Sequence, residues 1–255
     1  MSYSLIEVVK ENNIGKIIFN NGSLNVLNIP MMKEINQALD GFLQDNQLKA
    51  VVIGHTGKFF SAGVDVADHM GDKAEIMLHE FHNIFKKLNK FSCPTIAKVS
   101  GSALGGGCEV ALFCDLVIAS EKAKFGQPEI KVGVFPPVAA IVMPQVINMK
   151  KAFELLLQGE TISSTEANRL GLVNYVYNLE TFDENFNAFL ERFNSLSTVV
   201  IQHTKIAIKK AIGEDFDKKI DELESFYLKE LMKTRDANEG LHAFLEKRTP
   251  KWENR

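Results

Sequence analysis

The stretch TIAKVSGSALGGGCEVALFCDLVIA, residues 95–119, decides the fold. Its ends, Thr95–Val99 and Leu116–Ala119, are short apolar runs of the kind that form buried strands. Between them a glycine-rich turn, Gly101 to Gly107, leads into Cys108–Phe113, which reads as a buried helix. Strand, helix and strand in so short a span predict a crossover between parallel strands. Upstream, Ala50–Ile53 is another buried strand, followed by a loop from Gly54 to about Gly71. An amphipathic helix runs from about Ala74 to Leu88 and ends before Cys93-Pro94. An earlier helix opens at Pro30, with Ile29, Met32, Ile35, Leu39 and Leu43 at helical spacing. Leu5–Val9 and Lys16–Phe19 form a hairpin about Asn12-Asn13-Ile14-Gly15. After Val138 strand signals nearly vanish, except near Leu172–Tyr177, and Asp183 to Phe244 is helical in pattern. The expected class is α/β, a strand-rich core followed by a helical C-terminal region. No repeat and no Pro/Ser linker divides the two.

Composition narrows the function classes. The 255 residues need no disulfide or metal to bury a core. Hydrophobic residues at 45% and charged residues at 24% are ordinary for a soluble globular protein and exclude disorder. A net charge of −3 argues against nucleic acid as a partner. The cluster Lys205, Lys209, Lys210, Lys218 and Lys219 reads as a solvated helix face. Cys93, Cys108 and Cys114 lie in apolar surroundings without a CxxC pair, so they read as reduced core thiols and no metal site is expected. The opening MSYSLIEVVKENN lacks a basic start and a long apolar run, and no stretch is long enough to span a membrane. A cytoplasmic location without membrane contact is the expectation.

The common nucleotide and hydrolase motifs are missing: there is no GxGxxG, no GxSxG and no HExxH, and Gly54-His55-Thr56-Gly57-Lys58 has the wrong spacing for a P-loop. Three successive glycines, Gly105 to Gly107, stand between strand and helix. They let backbone approach a ligand, and free N–H groups at a helix start can stabilise an oxyanion. A tight turn under close packing explains them equally well. Glu109 lies in the first turn of that apolar helix, where it either complements the helix dipole or faces a cleft. Glu129, after Pro128, reads by itself as an exposed turn residue. The loop Phe59-Phe60-Ser61-Ala62-Gly63-Val64-Asp65 is too apolar for a solvated loop and packs either on a ligand or beneath a neighbouring element. His69 is either a pocket residue or, as loop histidines more often are, solvent-exposed.

In their order and spacing, FFSAGVDV, GSALGGGCEVALFCD, AKFGQPEIKVG, the segment Ser163–Asn174 and EGLHAFLEKR resemble the enoyl-CoA hydratase (crotonase) superfamily along essentially the whole chain. The resemblance implies a crotonase-like spiral of ββα units, residues 1–195, with a helical C-terminal trimerisation region, residues 196–255, in one continuous domain. A homotrimer or hexamer follows from it. The implied activity is hydration of an α,β-unsaturated acyl-CoA thioester by a hydro-lyase, with coenzyme A as part of the substrate and no cofactor. By family position Glu109 activates water and Glu129 protonates the α carbon. The N–H groups of Val64 and Gly106 form the oxyanion hole. Ser23, Leu24, Ala62, Asp65, Val66, Phe226 and Lys247 match CoA-binding positions, while Gly22 stands where many relatives carry a lysine.

Two departures are distinctive. The segment Val134-Phe135-Pro136-Pro137-Val138-Ala139-Ala140 replaces a glycine-rich one, and Val66-Ala67-Asp68-His69-Met70 is unusual. Together they resemble the branch that hydrates cyclic dienoyl-CoA thioesters in the degradation of aromatic acids. The prolines are expected to stiffen an acyl-pocket wall, with Val138, Ala139 and Ala140 as its apolar surface. Alternatives are another crotonase reaction, a double-bond isomerase or decarboxylase, and a non-catalytic CoA- or RNA-binding relative. Retention of both glutamates favours hydration.

Overall fold

The computed structural model describes residues 3–194, 196–212 and 215–253. Among these described residues ten strands fall into two sheets. The larger has the order β1 (Ile6–Glu11), β2 (Ile14–Phe19), β3 (Ala50–His55), β5 (Thr95–Val99), β7 (Leu116–Ser120) and β10 (Tyr175–Tyr177). The smaller has the order β4 (Phe59–Ser61), β6 (Ser102–Leu104), β8 (Lys124–Gly126) and β9 (Thr161–Ser163). Only the β1–β2 and β8–β9 pairs are antiparallel. Asn12 and Asn13 both take left-handed φ values, 51° and 61°, so the hairpin turns on two residues and Ile14 already pairs with Glu11.

The helices are α1 (Ile29–Leu43), α2 (Lys73–Lys90), α3 (Gly106–Phe113), α4 (Pro137–Val146), α5 (Met149–Gln158), α6 (Ser164–Leu170), α7 (Phe182–Asn194), α8 (Thr198–Ile212), α9 (Phe216–Lys229) and α10 (Arg235–Leu245). The chain therefore reads strand, strand, helix four times over, with α1 to α4 closing successive units. In the second to fourth units the first strand joins the large sheet and the second joins the small one. Each unit steps one strand along both sheets, which is the spiral that the ββα expectation describes. The sequence reading missed the small sheet. The loop after Gly54 holds β4, and the glycine-rich turn holds β6. Both are three residues long, too short for a period-2 pattern to register.

Both faces of the large sheet are covered. Val51, Ile53, Ala97 and Val117 face the main core with Met32, Ile35 and Phe85. Ala50, Val52, Ile96 and Ile118 point the other way, onto Phe182, Phe186, Phe189 and Leu190 of α7. Burial on both faces is why β3 reads as an unbroken apolar run. Each of those α7 side chains contributes about 1.5–3 kcal/mol by leaving water.

The C-terminal helices return to the core. His82 of α2 lies with Nδ1 2.6 Å from Oε2 of Glu224 on α9, and α10 packs on the 3-10 turns Val66–His69 and Pro128–Val132. Gly240 makes the second contact possible, since a Cβ there would sit 2.5 Å from the Val132 carbonyl oxygen. The lysine cluster is not a uniform solvated face. Lys205 is buried, with Nζ 2.9 Å from Cys93 O and 2.5 Å from Asp115 Oδ2, and Lys209 bonds to Asn89. Cys93, Cys108 and Cys114 are all free and buried, as expected. The boundary expected at residue 195 falls on a residue outside those described.

Candidate active site

Strands β4, β6 and β8 run parallel and adjacent, so their C-terminal ends share one edge of the small sheet. Three short segments leave that edge together: Ala62-Gly63-Val64, Gly105-Gly106 and Gln127-Pro128-Glu129. Parallel sheets collect ligand-binding groups at such an edge because every connection to the next helix starts there. Here they line a cavity of about 400 Å³.

The glycines set how closely these segments meet. Gly105 has φ +52°, and a Cβ on it would lie 2.8 Å from Glu129 Oε1. A Cβ on Gly106 would lie 2.7 Å from the Val64 side chain and 2.8 Å from Phe81. The positive φ calls for glycine at 105, whereas a side chain at 106 would have to displace Val64 and Phe81. Gly106 is the first residue of α3, so its N–H has no acceptor within the helix. Val64 sits in a bridge in which Leu27 N donates to Gly63 O at 2.9 Å and Asp65 N donates to Leu27 O at 3.1 Å, leaving the Val64 N–H out of the ladder. Two unspent amides thus flank the cavity.

Glu109 is 2% exposed, and its Oε1 accepts a hydrogen bond from Ala139 N at 2.8 Å. That amide belongs to the first turn of α4, where Pro136 and Pro137 occupy the cap and first position. Proline suits such a start, and the free amides behind it face an anion. The Phe135–Ala140 segment is therefore corrected in part. Val138 and Ala139 are buried beneath the cavity and supply backbone bonds to Glu109, while Val134, Phe135, Pro136 and Pro137 form the apolar wall.

Glu129 sits in the 3-10 turn Pro128–Val132 and opens into the cavity instead of standing in solvent as an ordinary turn residue. Burial pushes the Glu109 carboxyl up to about 7, although the amides of Ala139 and Val138 pull it back. Glu129 is held well above the carboxylate range by burial and then by the charge of Glu109. Two neighbouring carboxyls in one apolar cavity cannot both ionise readily. The two carboxyls titrate as one coupled pair, both raised by burial, with Glu129 further held in its protonated form by the charge of Glu109. The pair is equipped to take a proton from one atom of a ligand and give one to another.

Among the expected site residues, Ala62, Val64, Val66, Gly106, Glu109 and Glu129 all line this cavity. Leu24 adjoins it through its carbonyl, which accepts from Ala62 N at 2.9 Å, and Ser23 beside it is exposed. Asp65 turns its side chain to cap Ala67 N at 3.0 Å. Phe226 is exposed, its ring 5.8 Å from Phe135. Lys247 is exposed just beyond α10 and is not part of the lining. His69 lines the cavity, the less common of its two readings, and is not a solvent-exposed loop residue.

Two residues escaped the sequence reading. Gln127 is buried, and the amide orientation that satisfies its neighbours aims Nε2 at both Glu129 oxygens, 3.1 Å each, and at Gly105 O, 3.3 Å. It fixes the carboxyl against the glycine turn. Tyr227 lines the cavity beside Phe135, with ring centroids 5.3 Å apart, and burial and the two carboxyls push its phenol up. The only signal for either was its position next to a residue already singled out. Among the described residues no group of three His, Cys, Asp or Glu side chains converges to hold a metal, and no helix is long and apolar enough to cross a membrane.

A sequence model of enoyl-CoA hydratase/isomerase matches residues 9–255. The cyclohexa-1,5-dienecarbonyl-CoA hydratase of Thauera aromatica is 36% identical over 91% of this chain and 89% of its own length. A probable enoyl-CoA hydratase of Mycobacterium bovis is 35% identical over 100% of both chains. Among solved structures, an enoyl-CoA hydratase of Mycobacterium avium subsp. paratuberculosis superimposes with a TM-score of 0.89 at 28% identity, covering 99% of this chain and 100% of the other. With a family match over nearly its whole length and the paired carboxyls at the sheet edge, this chain belongs to the enoyl-CoA hydratase/isomerase family.

Proposed function

We propose that this protein is a hydro-lyase that adds water to an enoyl-CoA thioester, and that its acyl group is a cyclic conjugated diene. The observation that carries hydration is the facing pair Glu109 and Glu129, one poised to accept a proton and the other to donate it, in a cavity flanked by the free amides of Val64 and Gly106. Glu109 takes a proton from water as the C–O bond forms at the electrophilic carbon. The displaced π electrons move to the thioester oxygen, where the two amides hold the negative charge. Glu129 then protonates the α carbon, the carbonyl re-forms, and the proton now on Glu109 restores Glu129 on reset. Gln127 donates to the Glu129 carboxylate left behind and steadies it between these states. This sequence draws on no cofactor; coenzyme A arrives with the substrate. Ser23, Leu24, Ala62, Asp65, Val66, Phe226 and Lys247 are assigned to the CoA path. Free buried cysteines suit a cytoplasmic setting.

The cyclic acyl group is favoured by the wall Val134–Pro137, in which two consecutive prolines fix the backbone and Phe135 packs edge-on against Tyr227. The likeness to the Thauera aromatica relative points the same way, toward a role in degrading aromatic compounds. In the cyclic diene, attack of water at the β carbon leaves an enolate conjugated with the second double bond, so Glu129 delivers its proton to the far end of that bond instead of to the α carbon, and the same pair serves a 1,4-addition. Fit in an apolar pocket discriminates by about 1–3 kcal/mol per methylene-sized difference, and several such differences separate a ring from a four-carbon chain. We therefore expect kcat/KM for cyclohexa-1,5-diene-1-carboxyl-CoA to exceed that for crotonyl-CoA under identical conditions. Efficient crotonyl-CoA hydration without turnover of the diene removes the cyclic assignment and leaves the hydratase. Turnover of neither removes both.

A homotrimer or hexamer is part of the same proposal. Met149, Phe153 and Leu157, spaced four residues apart on one face of α5, are 60%, 58% and 63% exposed. Such a stripe suits burial against another copy. Phe153→Asp should shift the mass measured by light scattering toward the monomer, and an unchanged oligomer would place the interface elsewhere.

A further inference from the structure

Five side chains with polar atoms line the cavity: Glu109, Glu129, Lys131, Tyr227 and His69. The glutamates are the acid–base pair. Lys131 reaches outward to Glu160, with Nζ 3.5 Å from Oε1. The Tyr227 hydroxyl is buried and has no hydrogen-bond partner among the described residues. His69 is unexplained as well; its turn, Val66–His69, packs on α10, whose Leu241 and Phe244 also line the cavity.

The ring of His69 is fixed. Its Nδ1 lies 3.0 Å from the Asp65 carbonyl oxygen. A carbonyl only accepts, so Nδ1 carries the hydrogen. The turn itself is pinned by the Asp65 cap on Ala67 N and by Asp68, whose Oδ2 accepts from Ile29 N at 3.1 Å. Burial holds the imidazole below its usual range despite Asp65 and Asp68, so the ring is neutral at neutral pH. Nε2 is then a lone-pair acceptor, and among the described residues no group donates to it. Facing a hydrocarbon, such an acceptor loses its water without compensation. Facing an O–H, it is satisfied.

We propose that His69 is a specificity residue whose Nε2 accepts a hydrogen bond from a hydroxyl on the acyl group, so that the cavity holds the hydroxyacyl thioester more tightly than the unsaturated one. This rests on the hydratase reading, because only the hydrated member of a substrate–product pair carries an O–H on its acyl portion. His69 thereby sets the balance between substrate capture and product release and leaves the proton transfers to the glutamates.

The test is calorimetric binding in a Glu109→Gln, Glu129→Gln background, with chromatography of the recovered ligands to show that neither member of a pair has converted into the other. The ligand pairs are crotonyl-CoA with 3-hydroxybutyryl-CoA, and the cyclic diene thioester with its hydrated product. Adding His69→Leu should weaken the hydroxyacyl member of the fitting pair about 5-fold, the worth of one neutral hydrogen bond, and leave the enoyl member within about twofold. His69→Gln, whose amide oxygen reaches the place of Nε2, should restore binding, whereas His69→Asn, whose amide reaches only Nδ1, should not. Should His69→Leu fail to fold, the Gln and Asn variants still separate the outcomes. Equal loss for both members would make His69 a wall residue and overturn the proposal, as would no loss in either pair. Wild-type turnover, assayed separately, judges the hydratase reading. Turnover without the differential sinks the His69 assignment alone, and failure to bind any of the four ligands sinks both.

Discussion

Glu109→Gln is expected to lower kcat for hydration by about 10²–10⁴-fold and, in the same protein, to raise the melting temperature at pH 8. The rate loss follows from removing the base. The stability gain follows from the cost of keeping an ionised carboxylate where Glu109 lies. Its folded pKa of about 7 stands above the 4.5 of an ordinary glutamate. Between those values the folded chain holds a proton that the unfolded chain has released. Stability therefore falls as pH rises through that window and stays reduced above it. Glutamine carries no charge, and its amide oxygen still accepts from Ala139 N. The variant should then melt higher than wild type at pH 8 and nearly with it at pH 5. Thermal melts at the two values and steady-state kinetics check both halves. A gain of the same size at both pH values would refute the ionisation account, and near-wild-type turnover would refute the role as base. Glu129→Gln should lose rate over the same range while still binding thioester. The wild-type kcat/KM profile should fall on the acid side near pH 7, as an apparent value belonging to the pair.

The sequence made the site legible where chemistry left an odd residue in an apolar context. Glu109 stood out because a carboxylate opened a helix made of Val110, Ala111, Leu112 and Phe113. The three glycines beside it announced a close approach, and the structure shows that they admit Glu129, Val64 and Ser61. By contrast β4, β6 and β8, whose shared edge assembles the site, are three residues each and carry no periodicity. Their pairing is a long-range fact. Backbone donors were equally silent: no pattern announces that the amide of Ala139 will hold Glu109, because any residue there supplies an N–H. The prolines at 136 and 137 looked like stiffeners of a loop, but they start a helix and direct its amides inward. Lys205 reads as a surface lysine until β5 and β7 place Cys93 O and Asp115 beneath it. Gln127 and His69 are ordinary polar letters whose meaning depends on which cavity they face.

Gly106→Pro should cost about 10²–10³-fold in kcat, the usual worth of one oxyanion donor, if the Gly106 N–H holds the thioester oxygen. Proline removes that hydrogen. It also fits the first position of a helix, where the N–H has no intrahelical partner, so α3 itself should survive. The complication is steric, because any Cβ at 106 meets Val64 at 2.7 Å and Phe81 at 2.8 Å. Both contacts are side chains that must shift, and their shift distorts the cavity independently of the hydrogen bond. Gly106→Ala separates the two effects. Alanine brings the same Cβ and keeps the N–H, so its deficit measures crowding alone. The further loss from Ala to Pro reports the missing donor together with the ring Cδ that takes the place of its hydrogen. Because the charge on the thioester oxygen grows only as the C–O bond forms, that loss should appear in kcat with little change in thioester affinity. Circular dichroism and thermal melts establish that both variants are folded. Equal kcat in folded Ala and Pro variants would exclude the Gly106 amide as a donor and leave Val64, with some other group, to carry the charge. A Pro variant slower than Ala by two or more orders of magnitude, with thioester binding retained, would assign the first residue of α3 to the transition state.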